Sequence, residues 1–191
     1  SVRTPAEIRK LWAGPAGSTV ALAVRRDNQE REFVLRRTGL GAMSVRAETL
    51  PPGILYIAVP MLEGAGIARR VELLLADSPA AHRAVVLDLR DNPGGRLEEA
   101  NAIANLFLDG KLLEILEFRA GRRIAFRAAA GRLAVPVAVL VNRRTGSSAE
   151  VLAMALRDNA AAVMVGEPTA GMLFGKEFAP LPDGRALWIR A

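Results

Sequence analysis

Ala84-Val85-Val86-Leu87-Asp88-Leu89-Arg90-Asp91-Asn92-Pro93-Gly94-Gly95 begins as a run of aliphatic residues and ends in a turn. Ala84–Leu89 reads as a buried strand, and Asn92-Pro93-Gly94-Gly95 as the loop it runs into. A helix over Leu97–Leu108 follows. The same grammar recurs on both sides. Upstream, Ile54–Val59 is a buried-strand run, and Glu63–Ala76 is an amphipathic helix with Ile67, Val71, Leu74 and Leu75 at helical spacing. Downstream, Val135–Val141 is a strand, Asn142–Gly146 a loop, Ser147–Arg157 a helix and Ala161–Val165 a strand. Strands alternating with helices predict an α/β layer with parallel pairing.

The flanks are less regular. Leu112–Phe118 and Arg123–Ala128 read as a peripheral hairpin around Gly121. Gly166–Gly175 is a loop, followed by a strand near Lys176–Leu181, a turn at Pro182-Asp183-Gly184 and a strand Ala186–Ile189. At the amino end, Thr4-Pro5-Ala6-Glu7 is a capping box for a helix to about Ala13, stopped by Gly14-Pro15-Ala16-Gly17. Strands Thr19–Arg25 and Arg31–Arg37 follow, turning at Asp27-Asn28-Gln29. One helix and one hairpin make a poor domain alone. The expected organisation is a partial module over residues 1–38, a linker over 39–49 and the main core over 50–191. The chain starts at Ser1 without a charged-then-apolar leader, so the expectation is a processed or trimmed chain.

Composition excludes several classes. Of 191 residues, 51% are hydrophobic, which supplies an ordinary core and rules out disorder. The longest uncharged stretches, Leu11–Val24 and Thr49–Leu62, are fourteen residues each and contain Gly or Pro, too short for a spanning helix. Without cysteine there is no disulfide, thiolate nucleophile or Cys-based zinc site. The single histidine, His82, precludes a multi-His metal centre. The net charge is +6, yet the arginines are scattered pairs and aromatics make up only 5%, unlike a nucleic-acid binder.

Chemistry is expected at the carboxyl ends of the strands. Paired glycines let the Gly94 and Gly95 amides turn toward a ligand, as an oxyanion hole requires; the competing reading, an ordinary strand-to-helix turn, is favoured by residue type alone. Ser147 lies at the next strand-to-helix turn, where the helix N-terminus stabilises negative charge. Ser147 with Glu150 is also a plain capping box, and residue type favours the cap. His82 falls at the amino end of its strand, about 20–25 Å from the glycine loop by strand rise. It reads as a surface residue and not as a partner of Ser147. Asp91 and Glu167 read as structural carboxylates for Arg90 or Arg143.

Four blocks together resemble the C-terminal processing peptidases, or tail-specific proteases. They are Val86–Gly95, Val141-Asn142 with Gly146-Ser147-Ser148-Ala149-Glu150, Val165-Gly166-Glu167-Pro168-Thr169-Ala170-Gly171, and Pro180-Leu181-Pro182-Asp183-Gly184. Their order and separations match the family from Gly53 to the end, while residues 1–38 resemble the second half of its PDZ domain. The resemblance implies a core like the Clp-protease and crotonase fold, built of β-β-α units. It implies Ser147 as nucleophile and the amides of Gly94 or Gly95 and of Ser148 as the oxyanion hole. The family's general base is a lysine directly after the glycine of the third block, and here that position is Met172. Lys176, at the family's glutamine position, lies on the same strand face four residues on, roughly 13 Å along the strand. It is the candidate base, set against an edge-strand surface lysine.

The family acts on extended or unfolded polypeptides, needs no metal or cofactor, and is found in the bacterial envelope or periplasm and the chloroplast lumen. The expectation is therefore a periplasmic or envelope serine endopeptidase with a polypeptide substrate, no nucleic acid, no integral membrane segment and a possible homo-oligomer. Two alternatives stand beside it. One is an inactive homologue that binds polypeptide, favoured by Met172; the other is an acyl-CoA enzyme, for which no adenine site is identifiable.

Overall fold

The computed structural model describes residues 11–38, 44–77, 82–118, 121–130, 135–159, 161–181 and 186–190. The chain divides into two compact units, Met43–Phe174 and a second made of Ser1–Ala42 with Gly175–Ala191. The terminal strands thus group with the amino-terminal hairpin, whereas the sequence assigned them to the main core.

In the smaller unit, β1 (Thr19–Arg26) and β2 (Gln29–Arg36) form an antiparallel hairpin. Asp27 and Asn28 form its two-residue turn, both with positive φ (51° and 59°). That backbone twist matches the twist of paired strands. The expected helix over Thr4–Ala13 falls mainly outside the described residues, as does the turn at Pro182-Asp183-Gly184.

The larger unit is built on a five-stranded sheet whose members are β3 (Arg46–Leu50), β4 (Ile54–Ala58), β5 (Ala84–Asp88), β8 (Val137–Val141) and β9 (Ala162–Gly166), ordered β3-β4-β5-β8-β9. The last four run parallel and β3 is antiparallel to β4. Between them lie the helices α1 (Ile67–Ala76), α2 (Leu97–Asn105) and α3 (Ser148–Asp158), and the hairpin β6 (Leu112–Glu117) with β7 (Arg123–Arg127). No helix among the described residues is long and apolar enough to cross a membrane.

Register explains the core. Leu55, Val85 and Val137 pair across the sheet, as do Ile57, Leu87 and Val139, and all six are buried. Against this core pack Val71 and Leu75 of α1, Ala100, Ile103 and Ala104 of α2, and Leu152, Ala155 and Leu156 of α3. The opposite face carries Tyr56, Val86, Ala138 and Val163, which range from half-buried to exposed.

Two element boundaries differ from the sequence reading. The stretch expected as linker contains β3. Its five residues are all exposed, so only backbone pairing with β4 holds it and no apolar pattern announces it. Helix α1 starts at Ile67, four residues later than expected, after Gly64 and Gly66 with positive φ. Glu99 of α2 caps it, accepting from the Gly66 and Ala68 amides at 2.8 and 2.7 Å. Replacing the fully buried Ile57 with Ala is expected to cost about 2–5 kcal/mol, measured by urea unfolding.

Candidate active site

Because β5 and β8 are parallel neighbours, the loops at their carboxyl ends lie side by side. Four bonds join them: Gly146 N–H to the Asn92 carbonyl (2.9 Å), Thr145 Oγ1–H to the Leu89 carbonyl (2.8 Å), and a reciprocal pair between Asp91 and Asn142 (both 3.0 Å). Asn92 is wholly buried and is the hub of its loop. Its Nδ2 donates to the Val59 carbonyl at 2.7 Å and its Oδ1 accepts from Gly94 N–H at 2.9 Å.

Gly94 therefore does not offer its amide to a ligand. Its contribution is a missing side chain. A Cβ there, at φ 99°, would stand 2.7 Å from Ser147 Cβ and from the Gly146 carbonyl oxygen. Gly95 takes a different part. Leu62 bonds to the Gly94 carbonyl and to Arg96 N–H, a parallel bridge that leaves the Gly95 N–H facing away from Leu62. That amide donates to nothing among the described residues, and neither does that of Ser148. Ser148 opens α3, so its amide has no acceptor within the helix.

Ser147, whose Cβ lies against Gly94, has φ 55° and ψ −127°, a backbone that L-residues rarely adopt. It stands to Glu150 as a capping-box partner, and the carboxylate accepts Ser147 N–H at 2.9 Å. The Glu150 amide donates to the Ser147 carbonyl at 2.9 Å and also faces the Ser147 side chain, so both halves of the box are in place. The cap favoured by residue type is thus present, and it leaves the strained backbone unexplained.

Glu150 does more than the sequence indicated. It is 2% exposed, and its carboxylate accepts three further bonds, from Thr169 Oγ1–H (2.6 Å), Gly171 N–H (2.7 Å) and Met172 N–H (2.7 Å). Burial pushes its carboxyl upward, but the Thr169 hydroxyl and the Met172, Gly171 and Ser147 amides outweigh this and hold it below its ordinary value. The segment 169–172 is thereby fixed to the start of α3. Met172 Sδ lies 3.9 Å from where a Cβ on Gly146 would stand, so a thioether lies beside the turn that carries Ser147.

Asp88, at the end of β5, forms a second charged group. It accepts from Tyr56 O–H at 2.5 Å, and Arg90 Nε and Nη2 grip it at 2.9 and 2.6 Å. Burial raises its carboxyl and these donors lower it further, leaving it below the usual range. Arg90 thus pairs with Asp88, while Glu167 meets Arg143 at 3.5 Å and Asp91 meets Arg144 at 3.7 Å. His82 is half-buried, and its Nδ1 has no partner among the described residues, so it is less exposed than expected. Lys176 opens β10 (Lys176–Pro180), paired with β11 (Ala186–Arg190) in the smaller unit; its side chain lies outside the described residues.

A group whose folded pKa is lowered stabilises the fold above its ordinary titration range, and that contribution is lost as pH falls through the folded value. Glu150→Gln is expected to cost about 2–3 kcal/mol at pH 7. The gap to wild type should narrow at low pH, where both chains are uncharged at this position, as read by urea unfolding at several pH values.

The sequence profile described as peptidase family S41 matches residues 53–190. The chloroplastic carboxyl-terminal-processing peptidase 2 of Arabidopsis thaliana is 35% identical, over 94% of this chain and 37% of its own. The carboxy-terminal processing protease CtpA of Bacillus subtilis is 29% identical, over 80% of this chain and 36% of its own. The chain thus spans well under half the length of these relatives. Among solved structures, a photosystem II D1 C-terminal processing protease superposes with a TM-score of 0.73 at 26% identity, over 93% of this chain and 50% of the other. The mixed α/β core is that of this group, and the chain belongs to peptidase family S41.

Proposed function

We propose that this chain carries the nucleophile of a serine endopeptidase that cleaves extended polypeptides, with Ser147 attacking the scissile carbonyl. The observation that carries this reading is the positive φ of Ser147, in a turn whose surroundings include two amides, those of Gly95 in the adjoining loop and of Ser148 next in the chain, that bond to nothing among the described residues. A tetrahedral oxyanion needs such donors, and removing one typically costs about 100–1,000-fold in rate.

The base is proposed to be Lys176. As Ser147 Oγ bonds to the carbonyl carbon, its proton passes to a neutral lysine amine. That amine then returns the proton to the leaving nitrogen as the C–N bond breaks, and water hydrolyses the acyl-enzyme with the same proton shuttle. Met172 cannot take this part, because a thioether is only a weak hydrogen-bond acceptor. Glu150 is a poor substitute, since four donors already engage its oxygens. The amine must be neutral to act, so the rate is expected to rise with pH. The resemblance suggests an envelope compartment as the setting.

Met172 beside Gly146 favours a second reading, a polypeptide binder that does not cleave. Casein digestion followed by gel electrophoresis separates the two. The peptidase reading expects cleavage by wild type, none above background in Ser147→Ala, and a loss of at least about 100-fold in Lys176→Ala. An inert wild type that gains activity in Met172→Lys would instead identify a binder lacking only its base. Cleavage that survives Ser147→Ala would overturn both.

A further inference from the structure

Helices α1 and α2 and the hairpin β6–β7 border a groove of about 460 Å³. Its apolar lining comes from Ala68 of α1, Ala102 and Leu106 of α2, Leu113 of β6 and Phe126 of β7. No residue of the Ser147 turn, the glycine loop or the segment Thr169–Met172 takes part in it. The volume lies within the range of small-ligand pockets.

Two asparagines of α2 also line the groove, four residues apart on one helix face and so about 6 Å apart by rise. Each uses half of its amide inside the fold. Asn101 Nδ2–H donates to Glu114 at 2.7 Å, and Asn105 Oδ1 accepts from Ala129 N–H at 2.5 Å. These bonds fix which way round each amide stands, because a carboxylate accepts and a backbone N–H only donates. The free halves are therefore opposite in kind. Asn101 Oδ1 is left as an acceptor and Asn105 Nδ2 as a donor, neither bonded to another described residue.

An extended chain presents backbone N–H and C=O groups along one edge, repeating about every 6.6 Å. An acceptor and a donor about 6 Å apart on an apolar floor suit such an edge. They do not suit a helix, whose backbone groups are satisfied internally. Charge selects further. Arg69 and Glu72 bind one another at 2.6 Å, while Arg127, the remaining ionisable residue of the lining, forms no ion pair among the described residues. A carboxylate beside Arg127 would gain a charge-assisted bond.

We propose that this groove is a second polypeptide site. It holds an extended segment by its backbone through Asn101 and Asn105, with an aliphatic side chain against Phe126 and an acidic one beside Arg127. The site is separate from the Ser147 turn and stands whether or not the chain cleaves what it binds.

The test uses the full chain carrying Ser147→Ala, so that no probe is consumed, and fluorescein-labelled hexapeptides of Gly and Leu with one central Glu, Gln or Lys. Fluorescence anisotropy at low salt gives each affinity. The Glu probe is expected to bind at least about fivefold tighter than the Gln probe, and the Lys probe more weakly than either. Arg127→Glu should reverse that order with the circular dichroism spectrum unchanged. Asn105→Asp, which keeps the acceptor for Ala129 N–H and removes the donor, should weaken the Gln probe by at least about threefold. A preference for Glu that survives Arg127→Glu puts the acid elsewhere and overturns the proposal. So does an unchanged Gln affinity in Asn105→Asp, an affinity indifferent to charge, or no binding of any of the three probes.

Discussion

One buried carboxylate holds the site in shape. Glu150 accepts bonds from two stretches of chain far apart in sequence, the Ser147 turn and the segment Thr169–Met172. A buried charge without partners is costly, so the four donors and the acceptor require one another. A serine with positive φ costs of order 1–3 kcal/mol and persists only where its surroundings over-determine it. Here the over-determination is visible: Glu150 holds its amide, Gly94 leaves room for its Cβ, and Gly146 is bonded to Asn92.

The clamp in turn depends on the parallel sheet. Two adjacent strands ending at the same edge place their loops in contact without long connections, and Asn92 turns that proximity into fixed geometry. Its side chain takes the Gly94 amide out of play and anchors the loop to Val59, next to β4. The Gly95 amide is left as the one in the pair of glycines that faces away from the chain's own bonds. Gly95 also admits no side chain on its other flank, where a Cβ would meet the Leu62 carbonyl carbon at 2.3 Å. The two glycines therefore differ in part, one clearing space for the Ser147 Cβ and the other keeping an amide without an acceptor among the described residues.

Much of this was legible in sequence. The four parallel strands are aliphatic runs, three of them with buried residues and β9 half-buried on one face, and their pattern placed each of them, as it did the three helices. The strand β3 was not legible, because an edge strand held by backbone bonds alone has no side-chain pattern to read. The paired glycines and the serine turn were singled out by type and spacing, although their roles came only from the resemblance, and the difference between Gly94 and Gly95 was not legible. It is set by the asparagine two residues before Gly94, a tertiary bond with no signature of its own. Glu150 showed the same limit. Its spacing from Ser147 announced a local capping box, while three of its four donors come from residues 169–172, which only the folded chain brings within reach.

The clamp also explains how position 172 can change without collapse of the site. Met172 contributes its backbone amide to Glu150, and any residue but proline supplies that donor. Its side chain is 40% exposed and takes no part in the clamp, so the side chain at 172 is decoupled from the geometry at 147. Under the proposed peptidase reading, holding a carbonyl oxygen needs that geometry and no base, whereas breaking the peptide bond needs both. On that reading binding and chemistry would be separable, because the contacts that shape the Ser147 turn do not involve the side chain at 172.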